Sequence, residues 1–313
     1  MRASAFSEFG GPEVVRVMDL PLPRARAGEV VVRVFAATVN PTDTLMRAGK
    51  QVAMMGGLEP PFVAGMEFAG CIHEVGEGVA TFALGQPVMG LVNPRRPERG
   101  AQAEYVVLSA GAVAALPASI DLIEASTVPM NGLTALMVIE ALELPRGASV
   151  LVTGAAGAVG GYVVPLAKQA GLTVVADAKS QDMDLLRRLG VDEMLPRGDG
   201  MEAALRGRWP QGVDGLVDAA LLGNRAAALV RDGGVAVTLR KANPITDARL
   251  TVRHVSVTDR VNDGASLQLL ARLLQDGVLT PRVAVRLPPE EGAQAHRLVE
   301  QGGLRGRVVL TFG

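Results

Sequence analysis

The chain has 313 residues, enough for two domains that each bury a core. Lysine plus arginine number 31 against 32 aspartate plus glutamate, a net charge of -1, so the positive field that nucleic acid or an anionic membrane surface requires is missing. A single cysteine, Cys71, excludes an internal disulfide and any zinc site built from several thiolates.

Residues 1 to about 120 carry short β-rich runs, 29–35 and 104–108 among them, punctuated by Gly and Pro. From Asp121 the pattern changes to a helix over 124–143, a strand at 149–153, a helix at 158–170 and a strand at 173–177. It continues with a helix at 181–189, a strand at 213–218, a helix at 223–231 and a strand at 234–239. Strands alternating with helices at this spacing predict βαβ units, a parallel sheet and an α/β fold. The run 250–257 alternates polar and apolar residues as an edge strand does, and helices at 264–276 and 289–301 precede a last strand at 307–312. The uncharged stretch 147–167 is long enough to span a bilayer, but its five glycines and its Pro165 fit a strand, a tight turn and a helix better. The N-terminus reaches Glu8 without an apolar core, which predicts no signal peptide and a cytoplasmic protein.

Glycine is abundant, 37 of 313 residues, and part of the excess has a chemical reading. Gly154-Ala155-Ala156-Gly157-Ala158-Val159-Gly160 follows the strand 149–153 directly and opens a helix. A dinucleotide fold places glycine there because the turn is tight, the backbone approaches a pyrophosphate and the helix packs close to its strand. The helix N-terminus then offers N–H groups to phosphate. Small-residue turns also occur in purely structural crossovers, but strand and helix on either side favour a nucleotide.

Seven segments run through the whole chain in one order: Val39-Asn-Pro-Thr-Asp43, Pro61-Phe-Val-Ala-Gly-Met-Glu67, Val75-Gly-Glu-Gly78, Gly100-Ala-Gln-Ala-Glu-Tyr105, Asn131-Gly-Leu-Thr-Ala135, the glycine turn, and Gly306-Arg-Val-Val-Leu310. Together they resemble the zinc-independent quinone oxidoreductase branch of the medium-chain dehydrogenase/reductase superfamily. The resemblance implies a β-rich GroES-like catalytic domain from residues 1–122 and 260–313 and a Rossmann dinucleotide-binding domain from 123–259, with the active cleft between them. It also implies an oxidoreductase that passes hydride to a small-molecule quinone or α,β-unsaturated carbonyl, and a homodimer paired along the edge 250–257.

The second strand ends Val175-Ala-Asp177-Ala178-Lys179-Ser180. Aligned with the family, the cofactor-discriminating position is Ala178 next to Lys179, which favours NADPH; the other reading has Asp177 hold the ribose of NADH while Lys179 is a solvated loop residue. Lysine occurs only at 50, 168, 179 and 241, so a lysine at the ribose position is not a frequent accident. Arg197 offers a guanidinium near the adenine or the phosphate, though Pro196 stands where the family often has tyrosine.

Where zinc-dependent relatives place Cys, His and Cys, this chain carries Asn40, Met66 and Thr127, which predicts no catalytic zinc. His73, His254 and His296 are widely separated and read as packing or surface residues. The resemblance puts Asn40 and Asp43 on the segment that reaches the nicotinamide, continued by Arg47 and Gly49, with Asn40 able to donate its amide hydrogens to the acceptor oxygen. A helix cap is the other reading of 40–43. Glu67 reads as a structural hydrogen-bond partner in preference to a base. Asn131 and Thr134 are expected to contact the nicotinamide, with helix capping as the competing account. Met46, Met54 and Met55 suit either a flat apolar ligand or an ordinary core. Tyr105 and Tyr162 lie outside 44–58, so an aliphatic acceptor surface is expected. Two further functions stay open: an enoyl reductase acting on a thioester, and a nucleotide-binding structural or regulatory protein with little turnover.

Overall fold

The computed structural model describes residues 1–240 and 243–313; Lys241 lies outside the described residues. The chain forms two compact units, Met1–Met130 with Arg260–Gly313, and Asn131–Asp259.

The second unit is a Rossmann-type α/β layer. Its parallel sheet has strands Ser149–Thr153, Thr173–Ala178, Glu193–Pro196, Val213–Asp218, Val230–Thr238 and Thr251–His254, which lie in the spatial order 3-2-1-4-5-6 when numbered along the chain. The first of them, Ser-Val-Leu-Val-Thr, is buried at every position, as a central parallel strand covered on both faces must be. Leu151, Val175, Leu216 and Ala236 from four neighbouring strands share one apolar cluster with Leu205 and Leu229. The 147–167 stretch is strand, turn and helix, and among the described residues no helix is long and apolar enough to cross a membrane.

The first unit is β-rich and GroES-like. Its main sheet joins Glu29–Val39 to Glu67–Val75, Tyr105–Ser109 and Arg307–Thr311, all antiparallel. The core between them is built by the β-branched run around Val32 and Val34 together with Phe68, Ile72, Leu108 and Leu310. A smaller sheet pairs Arg2–Phe6 with Arg16–Asp19 and Phe62–Val63.

Several elements differ from the pattern in the sequence. The helix expected over 124–143 is two, Leu122–Ala125 and Pro129–Leu142. Ser126 and Thr127 donate their hydroxyls back to Ile123 and Glu124 carbonyls at 2.7 and 2.8 Å, and Pro129 lacks the N–H that continuation needs. The helix expected over 223–231 is only Asn224–Ala227, because Val230 already pairs with Val213 and opens a strand. The strand Glu193–Pro196 and the helix Met201–Arg208 have no counterpart in the pattern read from sequence.

Candidate active site

In the second unit the glycine turn has the geometry that its sequence demands. Gly154 lies at φ +67, and a Cβ on Gly160 would come within 2.4 Å of the Gly154 carbonyl oxygen and 2.6 Å of Ala155 Cα. Only glycine lets the helix Gly160–Gln169 close on the turn this way, and Val159 at its start supplies no side-chain cap. Ala155 is fully buried under the turn, while Gly157 and the following Ala158 and Val159 stay half-buried. Such a cradle, open at a helix N-terminus and closed to any larger side chain, fits a pyrophosphate.

Asp177 ends the neighbouring strand and is 2 % exposed. One carboxylate oxygen accepts from Gly154 N–H at 2.7 Å and the other from Arg197 Nε at 2.5 Å. Arg197 also lines a pocket of about 480 Å³ with Ala178, Lys179, Ser180, Met183 and Pro196, at the carboxyl ends of two parallel strands. Asp177, weighed from the sequence as a ribose ligand, thus pins the turn and carries a guanidinium. The signal for that second role was present: an acid inside a run of buried Val and Ala needs partners. At the start of the same unit Asn131 is 1 % exposed with Nδ2 lacking a partner, and Thr134 is 8 % exposed.

In the first unit a polar network is sealed inside the β-rich core. Glu67 Oε1 accepts from Thr38 Oγ1 at 2.7 Å, Arg307 Nη2 at 2.8 Å and Asn40 Nδ2 at 3.2 Å, while Oε2 accepts from the Met130 N–H at 2.8 Å. Asn40 Nδ2 also donates to Thr38 Oγ1 at 2.9 Å, and its carbonyl oxygen accepts from Arg307. Both amide hydrogens of Asn40 are therefore spent inside the protein, and the sequence expectation that they reach an acceptor oxygen gives way to a positioning role. Burial pushes the Glu67 carboxyl above the usual range against the opposing pull of Arg307. Glu67 is the hydrogen-bond hub that the sequence suggested.

Asp43 is fully buried one helical turn on. Its carboxylate accepts from the N–H groups of Asn40 at 2.8 Å and Gly65 at 3.1 Å and from Gln102 Nε2 at 3.4 Å. Burial raises its pKa to about 7, against the lowering effect of the two backbone N–H groups. Asp43 thus completes one half of a helix cap while Asn40's side chain turns away to the network, so the segment is a cap and a built polar wall at once. Arg47, at the end of the same helix, is 2 % exposed and pairs with Glu300 at 2.5 Å, and Gly49 takes φ +74 against the Phe9 ring.

Met66 is 2 % exposed, and Thr127 Oγ1 is committed to a carbonyl. With Asn40 locked by Arg307 and Glu67, these three side chains do not form a donor set for zinc. Met46 and Met55 pack with Phe6, Phe62 and Ala64 in a core cluster, which leaves Met54, 59 % exposed, as the one of the three methionines available to a ligand. Tyr105 stacks edge-on against His73 at 4.8 Å. Sequence reading missed Arg307, Thr38 and Gln102; a lone arginine opening the otherwise apolar Arg-Val-Val-Leu-Thr strand was the available sign.

Residues 26–118 match the alcohol dehydrogenase GroES-like domain family and residues 189–310 the zinc-binding dehydrogenase family. A chloroplast envelope quinone oxidoreductase homolog of Arabidopsis thaliana is 30% identical over 233 residues, covering 70% of this chain and 68% of the relative. This chain belongs to the quinone oxidoreductase branch of the medium-chain dehydrogenase/reductase superfamily. An NADPH-dependent alkenal/one oxidoreductase, also of Arabidopsis thaliana, is 28% identical over 99% of this chain and 79% of its own length. The solved quinone oxidoreductase from Coxiella burnetii covers 100% of this chain and 99% of its own, with a TM-score of 0.87 at 26% identity. The chain is accordingly an oxidoreductase of a family that uses a nicotinamide cofactor.

Proposed function

We propose that the protein is an NADPH-dependent reductase of quinones or α,β-unsaturated carbonyl compounds that works without a metal. The observation that carries the cofactor choice is the state of Asp177: it is 2 % exposed, with Gly154 N–H on one oxygen and Arg197 Nε on the other, so the acid is turned to the glycine turn and the guanidinium, while Lys179 and Arg197 line the adjoining pocket and suit a 2′-phosphate. Gly154, Ala155, Gly157, Ala158 and Val159 form the phosphate turn in this reading. Asn131 and Thr134 are assigned to the nicotinamide end, supported by the buried, unpartnered Nδ2 of Asn131. The bound cofactor supplies a hydride, and the acceptor's own conjugated system spreads the resulting charge, so no strong acid is required. Asn40 and Asp43 act as positioning residues: through Glu67 and Gly65 they hold the helix Pro41–Arg47 rigidly on the sheet.

The same reading takes the cytoplasm as the site of action and a second copy of the chain as partner, paired along the edge strand Thr251–His254, where Val252 is 40 % exposed. Light scattering showing a monomer at micromolar concentration contradicts the dimer. The activity is tested by following cofactor consumption with 9,10-phenanthrenequinone, 1,4-benzoquinone and a 2-alkenal, with both NADPH and NADH and with a chelator present. Consumption of NADPH that survives the chelator is the expected result. Cofactor binding with no consumption against any of the three contradicts the reductase.

A further inference from the structure

Three arginines are buried in the β-rich unit, and two of them have a carboxylate. Arg307, 6 % exposed, pairs with Glu67, and Arg47, 2 % exposed, pairs with Glu300. Arg95, 8 % exposed, has none within ion-pair distance among the described residues. Its Nε donates to Asn93 Oδ1 at 3.2 Å and its Nη1 to Gln51 Oε1 at 3.1 Å, both neutral acceptors. Nη2 makes no hydrogen bond to the protein and is not among the sealed polar atoms, so it keeps access to solvent. Asp43 is the acid whose field reaches this guanidinium, but it makes no ion pair with it and accepts instead from the N–H groups of Asn40 and Gly65 and from Gln102.

A guanidinium withdrawn from water without a counter-ion is costly, and natural proteins pair such groups or reserve them for a charged ligand. The surroundings of Arg95 are built to aim it. Asn93 Oδ1 grips both the Arg95 backbone N–H and its Nε, fixing the side chain against its own loop. Gln51, which receives Nη1, donates its own amide to Thr42 Oγ1 at 3.0 Å. Arg95 is thereby held against the segment that carries Asn40 and Asp43, with Nη2 left over. The N–H groups of an unpartnered Nη2 donate charge-assisted hydrogen bonds to a carboxylate. Arg96 beside it is exposed and adds to the positive potential without competing for the same partner.

We propose that Arg95 is a specificity-determining residue that binds a carboxylate on the acceptor, so that the preferred substrates are unsaturated carbonyl compounds bearing an acid group. This rests on the reductase reading above for the reaction, though not for the anion site itself. A charge-assisted guanidinium–carboxylate contact is worth roughly one to two orders of magnitude in affinity.

The test uses 4-oxo-2-pentenoate and its methyl ester, which share one enone and differ only in charge. Calorimetric titration of each into the protein is run beside steady-state reduction with NADPH. For the unaltered protein the acid binds at least tenfold more tightly than the ester and has the lower KM. In Arg95→Gln the acid-to-ester ratio falls to near one, and in Arg95→Lys, which keeps the charge without the fork, it is intermediate; circular dichroism of each variant checks folding. Acid and ester binding equally to the unaltered protein overturns the proposal, as does an acid preference that persists in Arg95→Gln. If the acid binds in an Arg95-dependent way and neither compound is reduced, the anion site stands and the reductase reading falls. If both are reduced with equal KM, the reductase stands and the anion site falls.

Discussion

Arg197 donates through Nε to one oxygen of the Asp177 carboxylate while the Gly154 N–H holds the other, which ties the phosphate turn, the second strand and the pocket rim into one unit. The acid is nearly sealed and the arginine about one third exposed, so the positive partner faces the pocket and the negative one faces the turn. Removing either cation from the rim should discriminate between the two cofactors. Lys179→Ala is expected to raise KM for NADPH about tenfold or more, the loss of one charge-assisted contact, with KM for NADH little changed. Arg197→Met should cost more, because it also uncovers the Asp177 charge beside a 2′-phosphate. Adding Asp177→Asn to that variant should recover part of the loss. Equal KM values for NADPH and NADH in all of these proteins would end the phosphate reading.

Gly160 separates a backbone requirement from a general sensitivity to alanine. Its added Cβ would meet the Gly154 carbonyl oxygen at 2.4 Å and Ala155 Cα at 2.6 Å, both backbone atoms that cannot swing aside. Gly160→Ala should push the helix off the turn, weaken nicotinamide cofactor binding at least tenfold and lower Tm. Gly207, inside the helix Met201–Arg208, has nothing within 4 Å of the same added atom. Gly207→Ala should be neutral or stabilising by about 0.5–1 kcal/mol through helix propensity. Fluorescence titration with the reduced cofactor and thermal melts of both variants provide the comparison, and similar behaviour of the two would remove the special role of the turn.

How far the sequence carried depended on whether the decisive contact was local. Strands such as 149–153 and 213–218 were legible to the residue, because a short buried run bounded by Gly and Asp has one reading in an alternating chain. The glycine turn was legible for the same reason. The Asn40–Thr38–Glu67–Arg307 network was not, since Arg307 lies 267 positions from Asn40 and meets it only because Arg307–Thr311 pairs with Glu29–Val39. Asn40 was therefore assigned to the substrate from the family resemblance and its amide chemistry, while its partners lay beyond the range of any local pattern. The short helix Asn224–Ala227 was overread because its apolar residues continue without a break into a strand that long-range pairing with Val213 claims. Arg95 carried no signal in a loop of exposed charges; only its burial without an acid singles it out.

The Glu67–Arg307 pair should be expensive to break and cheap to keep. Glu67 is wholly buried and Arg307 is 6 % exposed, so truncating the arginine strands a carboxylate whose neutralisation burial already favours. Arg307→Met is expected to cost about 3–5 kcal/mol, the range for leaving one partner of a buried pair alone. Glu67→Gln keeps one acceptor oxygen but sets an NH2 against either the Thr38 hydroxyl or the Met130 N–H, and it leaves Arg307 without an anion, so it should also destabilise. Combining Arg307→Met with Glu67→Gln in one chain should cost less than the sum of the two single changes. Urea unfolding of the four proteins gives the coupling; strict additivity would show that the pair contributes nothing as a pair.

His296 sets a pH window for stability. It is fully buried on the helix Gly292–Gln301, and neither ring nitrogen has a hydrogen-bond partner. Burial, with a smaller contribution from the nearby Arg47 charge, lowers its pKa from 6.5 to about 3. The folded protein thus binds a proton at this ring far less readily than the unfolded chain does. Stability from this site is complete above about pH 6.5 and is lost as pH falls toward about 3, with a slope approaching 1.4 kcal/mol per pH unit inside the window. Asp43 works in the opposite sense: its raised pKa makes the folded state hold a proton that the unfolded chain releases, so stability from that site declines as pH rises from 3.8 toward about 7. Because Asp43 is common to both proteins, the difference between wild type and His296→Leu isolates the ring. Leucine leaves no polar atom to satisfy, so the variant should match or exceed wild-type stability at pH 7.5 and should lose less of it on going to pH 5. Urea midpoints at the two pH values measure this directly, and parallel losses in both proteins would show that His296 is already protonated or hydrated in the fold.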